Sequence, residues 1–245
     1  MLELCVISLR YSSWSMRALL PLLHANAPVV VKTAELDLSR QGDPPAELEA
    51  DAFVKAAAEK LAHRRSLGSV TGYFPTLWVD GTPIHESLAI NEWTAETYPN
   101  AKLWPQDTLK RAQTRSLCAE MASNFSNLRN HMSCHVFARV PNFQPDGPTR
   151  VEIARVFELF NDCLSASGGP FLFGDFGIVD AMYFPVLTRF ATYNVALPSD
   201  MQRYQASLND LPAVQRWLDL AKQAPAIPVY DEFIRAMGGE IAIPA

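Results

Sequence analysis

The sequence has few cysteines, and none of its apolar runs approaches the roughly 20 residues that a membrane-spanning helix needs. Its four cysteines, Cys5, Cys118, Cys134 and Cys163, are scattered along 245 residues without a Cys-x-x-Cys pair. This usage does not indicate a disulfide framework, and we expect a reduced, cytoplasmic protein. The first residues lack the basic start of a secretory signal, so we expect no signal peptide.

The chain also lacks an excess of positive charge. Its 21 Lys and Arg residues face 26 Asp and Glu residues, which gives a net charge of −5. This balance argues against nucleic acid as the main partner, and no polybasic block is present to bind an anionic membrane. The hydrophobic content of 49% is enough for one or two domains with real cores.

The first hundred residues alternate between strand-like and helix-like patterns. Residues 2–9 and 27–36 are apolar or β-branched and predict strands, with an amphipathic helix between them. A Pro/Gly turn and an Ala- and Glu-rich helical stretch follow. Asp80-Gly81 then separates two short strands, as in a hairpin, and a helix is predicted over 87–98. The order is βαβαββα.

The rest of the chain shows only helical periodicity. Residues 99–107 have turn residues at both ends and are predicted to be a linker. We predict an α/β domain over 1–98 and an all-helical domain over 108–245, with no strand in the latter. The helical stretches are 108–140, 148–167, 178–194 and 211–224.

Four short motifs accompany this order of elements. They are SSWSMR at 12–17, YFPTL at 73–77, ESLAI at 86–90 and GDFGIVDAMYFPVLTRF at 174–190. Together they resemble the cytosolic glutathione transferase family, of a bacterial type whose serine motif is similar to zeta- and tau-like classes. The resemblance implies a thioredoxin-like first domain and a helical-bundle second domain.

The serine cluster is the candidate catalytic group. A hydroxyl at the start of a helix can simply cap free backbone N–H groups, and at least one of these serines is expected to do so. The resemblance implies that Ser12, five residues before Arg17, donates to the thiol of glutathione. A hydroxyl donor and the helix dipole favour a thiolate over a thiol, whose free pKa is about 8.5. Ser13 is the alternative activator, and Ser15 is a candidate glutathione contact.

The resemblance also implies where the rest of glutathione would bind. Pro75 would be a cis proline that presents the backbone of Phe74 to the ligand. Ser87 and the nearby backbone N–H groups would take the carboxylate of the γ-glutamyl end at a helix start, and Glu86 would pair with its ammonium. Without a ligand, the same residues would form an ordinary helix cap. Tyr73 departs from the Lys or Gln that family members often carry.

Two motifs in the second half of the chain, a capping box and a pair of histidines, are not predicted to be catalytic. Gly177 and Asp180 match a capping box that starts a core helix, although the family usually has Ser or Thr in place of Gly177. His131 and His135 are four residues apart, but Met132 stands where a zincin motif has glutamate, so no metal is predicted. Candidates for lining an electrophile pocket are Met121, Phe125, His131, His135 and Phe137.

The function implied by the resemblance is that of a glutathione transferase acting on a small hydrophobic electrophile, as in detoxification. Glutathione would be the co-substrate, and the protein would be a homodimer without metal, nucleic acid or membrane partners. A glutathione-dependent isomerase, dehalogenase or ether-cleaving lyase fits the same machinery, as does a non-catalytic ligand-binding member. A thioredoxin-like oxidoreductase is disfavoured, because the first helix start lacks a cysteine.

Overall fold

The computed structural model describes residues 1–35 and 49–243, and its first part is built on a four-stranded sheet. The strands are β1 (Leu2–Val6), β2 (Val29–Thr33), β3 (Thr76–Val79) and β4 (Thr82–His85). Their order is β2-β1-β3-β4, with β1 parallel to β2 and antiparallel to β3, and β3 antiparallel to β4. The predicted βαβ unit and hairpin are confirmed, whereas the predicted Pro/Gly turn lies outside the described residues.

The hairpin between β3 and β4 follows from its turn residues. Asp80 has a φ of 47° and Gly81 a φ of 86°. Two consecutive positive φ values suit the right-handed twist of paired strands, and Asp-Gly adopts them at little cost. The hairpin brings the end of β4 beside the start of β3, where Thr76 pairs with His85.

The sheet has two apolar faces. Leu4 and Val6 point into the main core, where they join side chains of the first helix. Cys5 points the other way into a small cluster with Ala34 and Phe74, as the alternation of strand side chains requires. Cys5 is therefore a buried packing residue.

Three helices belong to this first part: α1 (Ser13–His24), α2 (Ala50–Ser66) and α3 (Ser87–Thr97). Helix α1 is buried almost throughout and packs against α3. A 3₁₀ turn follows at Pro99–Ala101, and Leu103 and Trp104 are buried in the core. The division into domains at 98 and 108 stays a prediction, and the segment between them is packed against both sides.

The second part is helical. Its helices are α4 (Thr108–Ser123), α5 (Ser126–His131), α6 (Gly147–Ser167), α7 (Ile178–Thr192), α8 (Ser199–Asn209), α9 (Pro212–Gln223) and α10 (Pro228–Ala236). None of the helices in the described ranges is long and apolar enough to cross a bilayer. Sequence periodicity located α6, α7 and α9 but not α8 or α10.

Two predictions for this part were wrong. The single helix expected over 108–140 ends at Ser123, because Phe125 adopts a left-handed conformation with a φ of 62°. The expected absence of strands is also wrong, since β5 (Ala138–Arg139) pairs antiparallel with β6 (Glu240–Ile241). Each strand has two residues, which is too short to show a period of two in the sequence.

Helix α7 is the centre of the helical part, and it also packs against α1 and α4. Its start is fixed by the predicted capping box, in which the backbone N–H of Gly177 donates to Asp180 at 2.9 Å. Asp180 also accepts from the backbone of Leu172 at 3.1 Å and from the hydroxyl of Tyr204 at 2.9 Å. The carboxylate therefore joins the loop before α7 to α8.

Candidate active site

A cavity of about 460 Å³ lies where α1, β3 and α3 begin. Its walls come from the starts of these three elements and the loop before β3. The lining residues are Trp14, Thr71, Tyr73, Phe74, Pro75, His85, Glu86 and Ser87. A second cavity of about 400 Å³ lies between α4 and α6 and contains none of the predicted site residues.

The loop before β3 carries the predicted cis proline. The Phe74–Pro75 peptide bond is cis, and the paired residues of β3 start directly after it at Thr76. Phe74 is therefore outside the sheet ladder while its side chain is buried. This placement leaves the backbone of Phe74 beside the cavity, where an extended ligand could run along it.

Glu86 caps helix α3 with its own side chain. Its Oε2 accepts from the backbone N–H groups of Leu88 at 2.8 Å and Ala89 at 3.4 Å. The hydroxyl of Ser87, which is fully buried, donates to Oε1 at 3.0 Å. The N–H groups that were expected to take a ligand carboxylate thus contact Glu86, whose exposed carboxylate group lines the cavity.

Ser12 is the N-cap of α1. Its Oγ accepts from the backbone N–H of Ser15 at 3.2 Å and from the Ser15 hydroxyl at 2.9 Å. A hydroxyl accepts twice and donates once, so the Ser12 proton is left for a third partner. Ser15 is fully buried beneath Ser12, and Ser13 is nearly buried at the first helical position. The three serines stand beside the cavity but not among its lining residues.

Trp14 connects the serine segment to the helical part. Its ring lines the cavity, and the guanidinium carbons of Arg17 and Arg129 lie 4.5 and 5.6 Å from its centroid. Arg17 is fully buried, and its Nε donates to the backbone oxygen of Met182 in α7 at 3.0 Å. Burial, together with the charges of Arg189 and Arg129, lowers the pKa of Arg17 to about 9. The Trp14 ring therefore packs on two guanidinium groups, and the guanidinium of Arg17 is bonded to helix α7 of the helical part.

The residues expected to line an electrophile pocket do not line this cavity. Met121, Phe125 and Phe137 are buried in the core. His131 contacts Thr149 and Asp146 near the start of α6. His135 is buried and lies 2.9 Å from Asp231 of α10. Within the described residues, no group of three or more metal-ligating side chains comes together.

The two residues before Ser12, Arg10 and Tyr11, make long-range hydrogen bonds that were not predicted from the sequence. Tyr11 donates to Asp231, and the guanidinium of Arg10 donates to the backbone at the end of α9. These partners are more than 200 positions apart in the chain. No local signal could have identified them, because spacing rules report only neighbours on one element.

Comparison with known proteins agrees with this architecture. Residues 136–220 match the family "Glutathione S-transferase, C-terminal domain". A probable maleylacetoacetate isomerase 2 of Drosophila melanogaster is 28% identical over 131 residues, which are 54% of this chain and 56% of the relative. The chain spans from a quarter to just over half of the length of the curated relatives it matches.

Solved structures cover nearly the whole chain. A glutathione transferase homologue from a Burkholderia strain, solved with bound glutathione, has a TM-score of 0.65 at 21% identity and covers 91% of this chain and 98% of its own. A bacterial zeta-class maleyl pyruvate isomerase has a TM-score of 0.62 at 20% identity, covering 88% of this chain and 95% of its own. Residues 136–220 therefore match a glutathione S-transferase C-terminal domain, and the chain as a whole has the fold of the glutathione transferases.

Proposed function

We propose that the protein is a glutathione-dependent enzyme that uses Ser12 to hold the glutathione thiol as a thiolate. The observation that carries the proposal is the Ser12 hydroxyl, which accepts two hydrogen bonds and keeps its proton for a ligand at the start of α1. A thiolate there would be stabilised by this donor and by the positive end of the helix. The Burkholderia structure with bound glutathione supports the choice of ligand.

The cavity offers a complementary group for the γ-glutamyl end of glutathione. The ammonium of that end would pair with the carboxylate of Glu86, and the backbone of Phe74 would bond to the cysteinyl part. Trp14 would stand beside the thiol and border the space for the electrophile. In this arrangement the serine is a hydrogen-bond donor and the nucleophile is the sulfur of glutathione.

Two reactions are open to such a thiolate. In a transferase reaction it adds to a small hydrophobic electrophile and the sulfur–carbon bond remains. In an isomerase reaction it adds to a carbon–carbon double bond, the resulting single bond rotates, and elimination regenerates glutathione. The isomerase names of the relatives favour this second candidate. Trp14 counts against it, because the zeta-like motif has a cysteine at that position.

Replacing Ser12 with alanine should raise the pKa of the bound thiol. In the unchanged protein, the ultraviolet absorbance of the thiolate should titrate well below the free value of about 8.5. One hydrogen bond to a charged group contributes about 1.5–3 kcal/mol, so the variant should bring the pKa up by about one to two. Ser12→Gly is the matched variant, since glycine is a tolerable N-cap without a hydroxyl.

Ser13→Ala is the control for this experiment and should leave the thiol pKa low. If the low pKa persists in both Ser12 variants and disappears in Ser13→Ala, the activating residue is Ser13. If millimolar glutathione does not bind, the proposed function is wrong. Where the thiolate forms, the consumption of glutathione distinguishes a transferase from an isomerase, because only the transferase uses it up.

A further inference from the structure

The loop that precedes Ser12 is held by the end of helix α9. Arg10 is buried, and its Nε donates to the backbone oxygen of Ala221 at 2.9 Å. Its Nη2 donates to the oxygen of Lys222 at 2.7 Å. A cation at the negative end of a helix is a favourable contact. Val136 also donates its backbone N–H to the oxygen of Arg10 at 3.2 Å.

Tyr11 fixes the next residue of the loop to helix α10. Its hydroxyl donates to Oδ1 of Asp231 at 2.8 Å and accepts from the backbone N–H of Ile227 at 3.2 Å. Its ring stacks on Tyr230, with 5.0 Å between centroids and 16° between planes. The phenol therefore has a donor, an acceptor and a stacking partner, all in the segment that begins α10.

Asp231 also binds the segment before β5. Nε2 of His135 lies 2.9 Å from the same Oδ1 that Tyr11 contacts, and the His135 and Tyr11 rings meet edge to face at 4.8 Å. Burial opposes the charge of Asp231, but the bonds from Tyr11 and His135 outweigh it, so its pKa lies below the usual range. Burial lowers the pKa of His135, which favours a neutral ring that donates Nε2–H to the carboxylate.

We propose that Asp231 is a positioning residue for thiol activation, which it serves by fixing Tyr11 and thereby the adjacent Ser12. The inference rests on the proposed function of Ser12. A hydroxyl stabilises a thiolate only if its proton is directed at the sulfur, and displacements near one ångström have large effects on such contacts. Ser12 follows Tyr11 directly, so a change in the anchoring of the phenol is transmitted to the N-cap.

The partners of the Arg10 side chain and of the Tyr11 hydroxyl lie outside the part of the chain that matches the family. That match ends at residue 220, whereas the carbonyls that bind Arg10 and the groups that bind Tyr11 lie at 221–231. The segment after α9 therefore takes part in shaping the candidate active site from the helical side.

The direction in which the pKa of the bound thiol changes distinguishes a positioning role of Asp231 from a purely electrostatic role. A negative charge near the site disfavours a thiolate, so loss of the Asp231 charge alone would lower the pKa of the bound thiol. Loss of the anchor misdirects the Ser12 hydroxyl and would raise that pKa. Asp231→Asn removes the charge but keeps an oxygen that can accept from Tyr11 and His135. Asp231→Leu removes the acceptor as well, so in Asp231→Leu the two roles predict opposite results.

The test is the thiolate titration of bound glutathione in Asp231→Leu and Tyr11→Phe. Each should raise the thiol pKa by about 0.5 to 1, which lowers the ratio of thiolate to thiol at a given pH about three- to tenfold. The dissociation constant of glutathione should change less than twofold, because the γ-glutamyl end would bind at α3. The double variant should be no worse than the stronger single one, since both remove the same contact.

Glu232→Gln is the matched control, because Glu232 is the exposed neighbour of Asp231 on α10. It should leave the titration unchanged. If Asp231→Leu does not fold, Tyr11→Phe carries the test, since it retains the ring that packs on Tyr230 and His135. A low thiol pKa that is unchanged or lowered in these variants overturns the positioning role and leaves the function of Ser12 intact. An ordinary thiol pKa in the unchanged protein overturns the function itself.

Discussion

Replacing Asp180 with alanine should lower the free energy of unfolding by about 3 kcal/mol at neutral pH. The carboxylate accepts from the backbone of Leu172 and Gly177 and from the hydroxyl of Tyr204, and it is fully buried. Alanine would leave these donors buried without an acceptor, and each such donor costs about 1–3 kcal/mol. Denaturant unfolding followed by circular dichroism measures the loss.

The exposed Asp175, in the loop just before the capping box, provides the control. Asp175→Ala should change the free energy of unfolding by less than about 0.5 kcal/mol. Tyr204→Phe removes one of the three donors and should cost about 1 kcal/mol. An Asp180→Ala protein as stable as the unchanged one would contradict the structural role given to this carboxylate.

The same residue makes the stability depend on pH. Burial raises the pKa of Asp180 from 3.8 to about 6. The folded state therefore holds a proton that the unfolded state releases, and this stabilisation is complete below the unfolded pKa and lost as pH rises through about 6. The stability difference between the unchanged protein and Asp180→Ala should thus be larger at pH 4 than at pH 7, with an upper bound of about 3 kcal/mol for the change.

Replacing Glu86 with glutamine should weaken glutathione binding about 10- to 100-fold, because a hydrogen bond between charged groups contributes about 1.5–3 kcal/mol. The carboxylate is the candidate partner of the ligand ammonium. Glutamine keeps an oxygen that can accept from the backbone of Leu88, so the start of α3 should be retained. Titration calorimetry measures the affinity, and the pKa of the bound thiol should stay low.

A control residue and an altered ligand complete this experiment. Glu96 is exposed on the same helix, and Glu96→Gln should bind glutathione as tightly as the unchanged protein. A glutathione analogue without the amino group should bind the unchanged protein about as weakly as glutathione binds Glu86→Gln. If Glu86→Gln binds glutathione within twofold of the unchanged protein, Glu86 serves only as a helix cap.

Local chemistry explains which parts of the fold could be predicted. The β3–β4 hairpin was predicted because Asp80 and Gly81 determine the turn by themselves. The break between α4 and α5 was missed because its left-handed residue is Phe125, and a bulky residue rarely adopts that conformation. The pairing of β5 with β6 joins residues about a hundred positions apart, and two-residue strands show no pattern.

In the candidate site, too, features that depend on adjacent residues could be predicted, and features that depend on tertiary contacts could not. The motifs located the cis peptide at Pro75, because it depends on a few adjacent residues. They predicted that one of the serines would cap α1 but left open which, and the structure shows that it is Ser12. They did not show that Glu86 itself would cap α3, since a cap is chosen by side-chain geometry. They also could not show that Tyr11 meets Asp231, because tertiary packing alone brings those residues together.

The bonds from Arg10 and Tyr11 to residues 221–231 have a consequence for protein synthesis. The strands of the sheet and α3 are complete once residue 97 has been made, but the hydroxyl of Tyr11 has no Asp231 to bind until 134 residues later. At about 5–20 residues per second, this delay is roughly seven to 27 seconds. A nascent chain can therefore form its sheet early while the segment around the serines waits for the last helix. The final shape of that segment is reached only after α10 has been made.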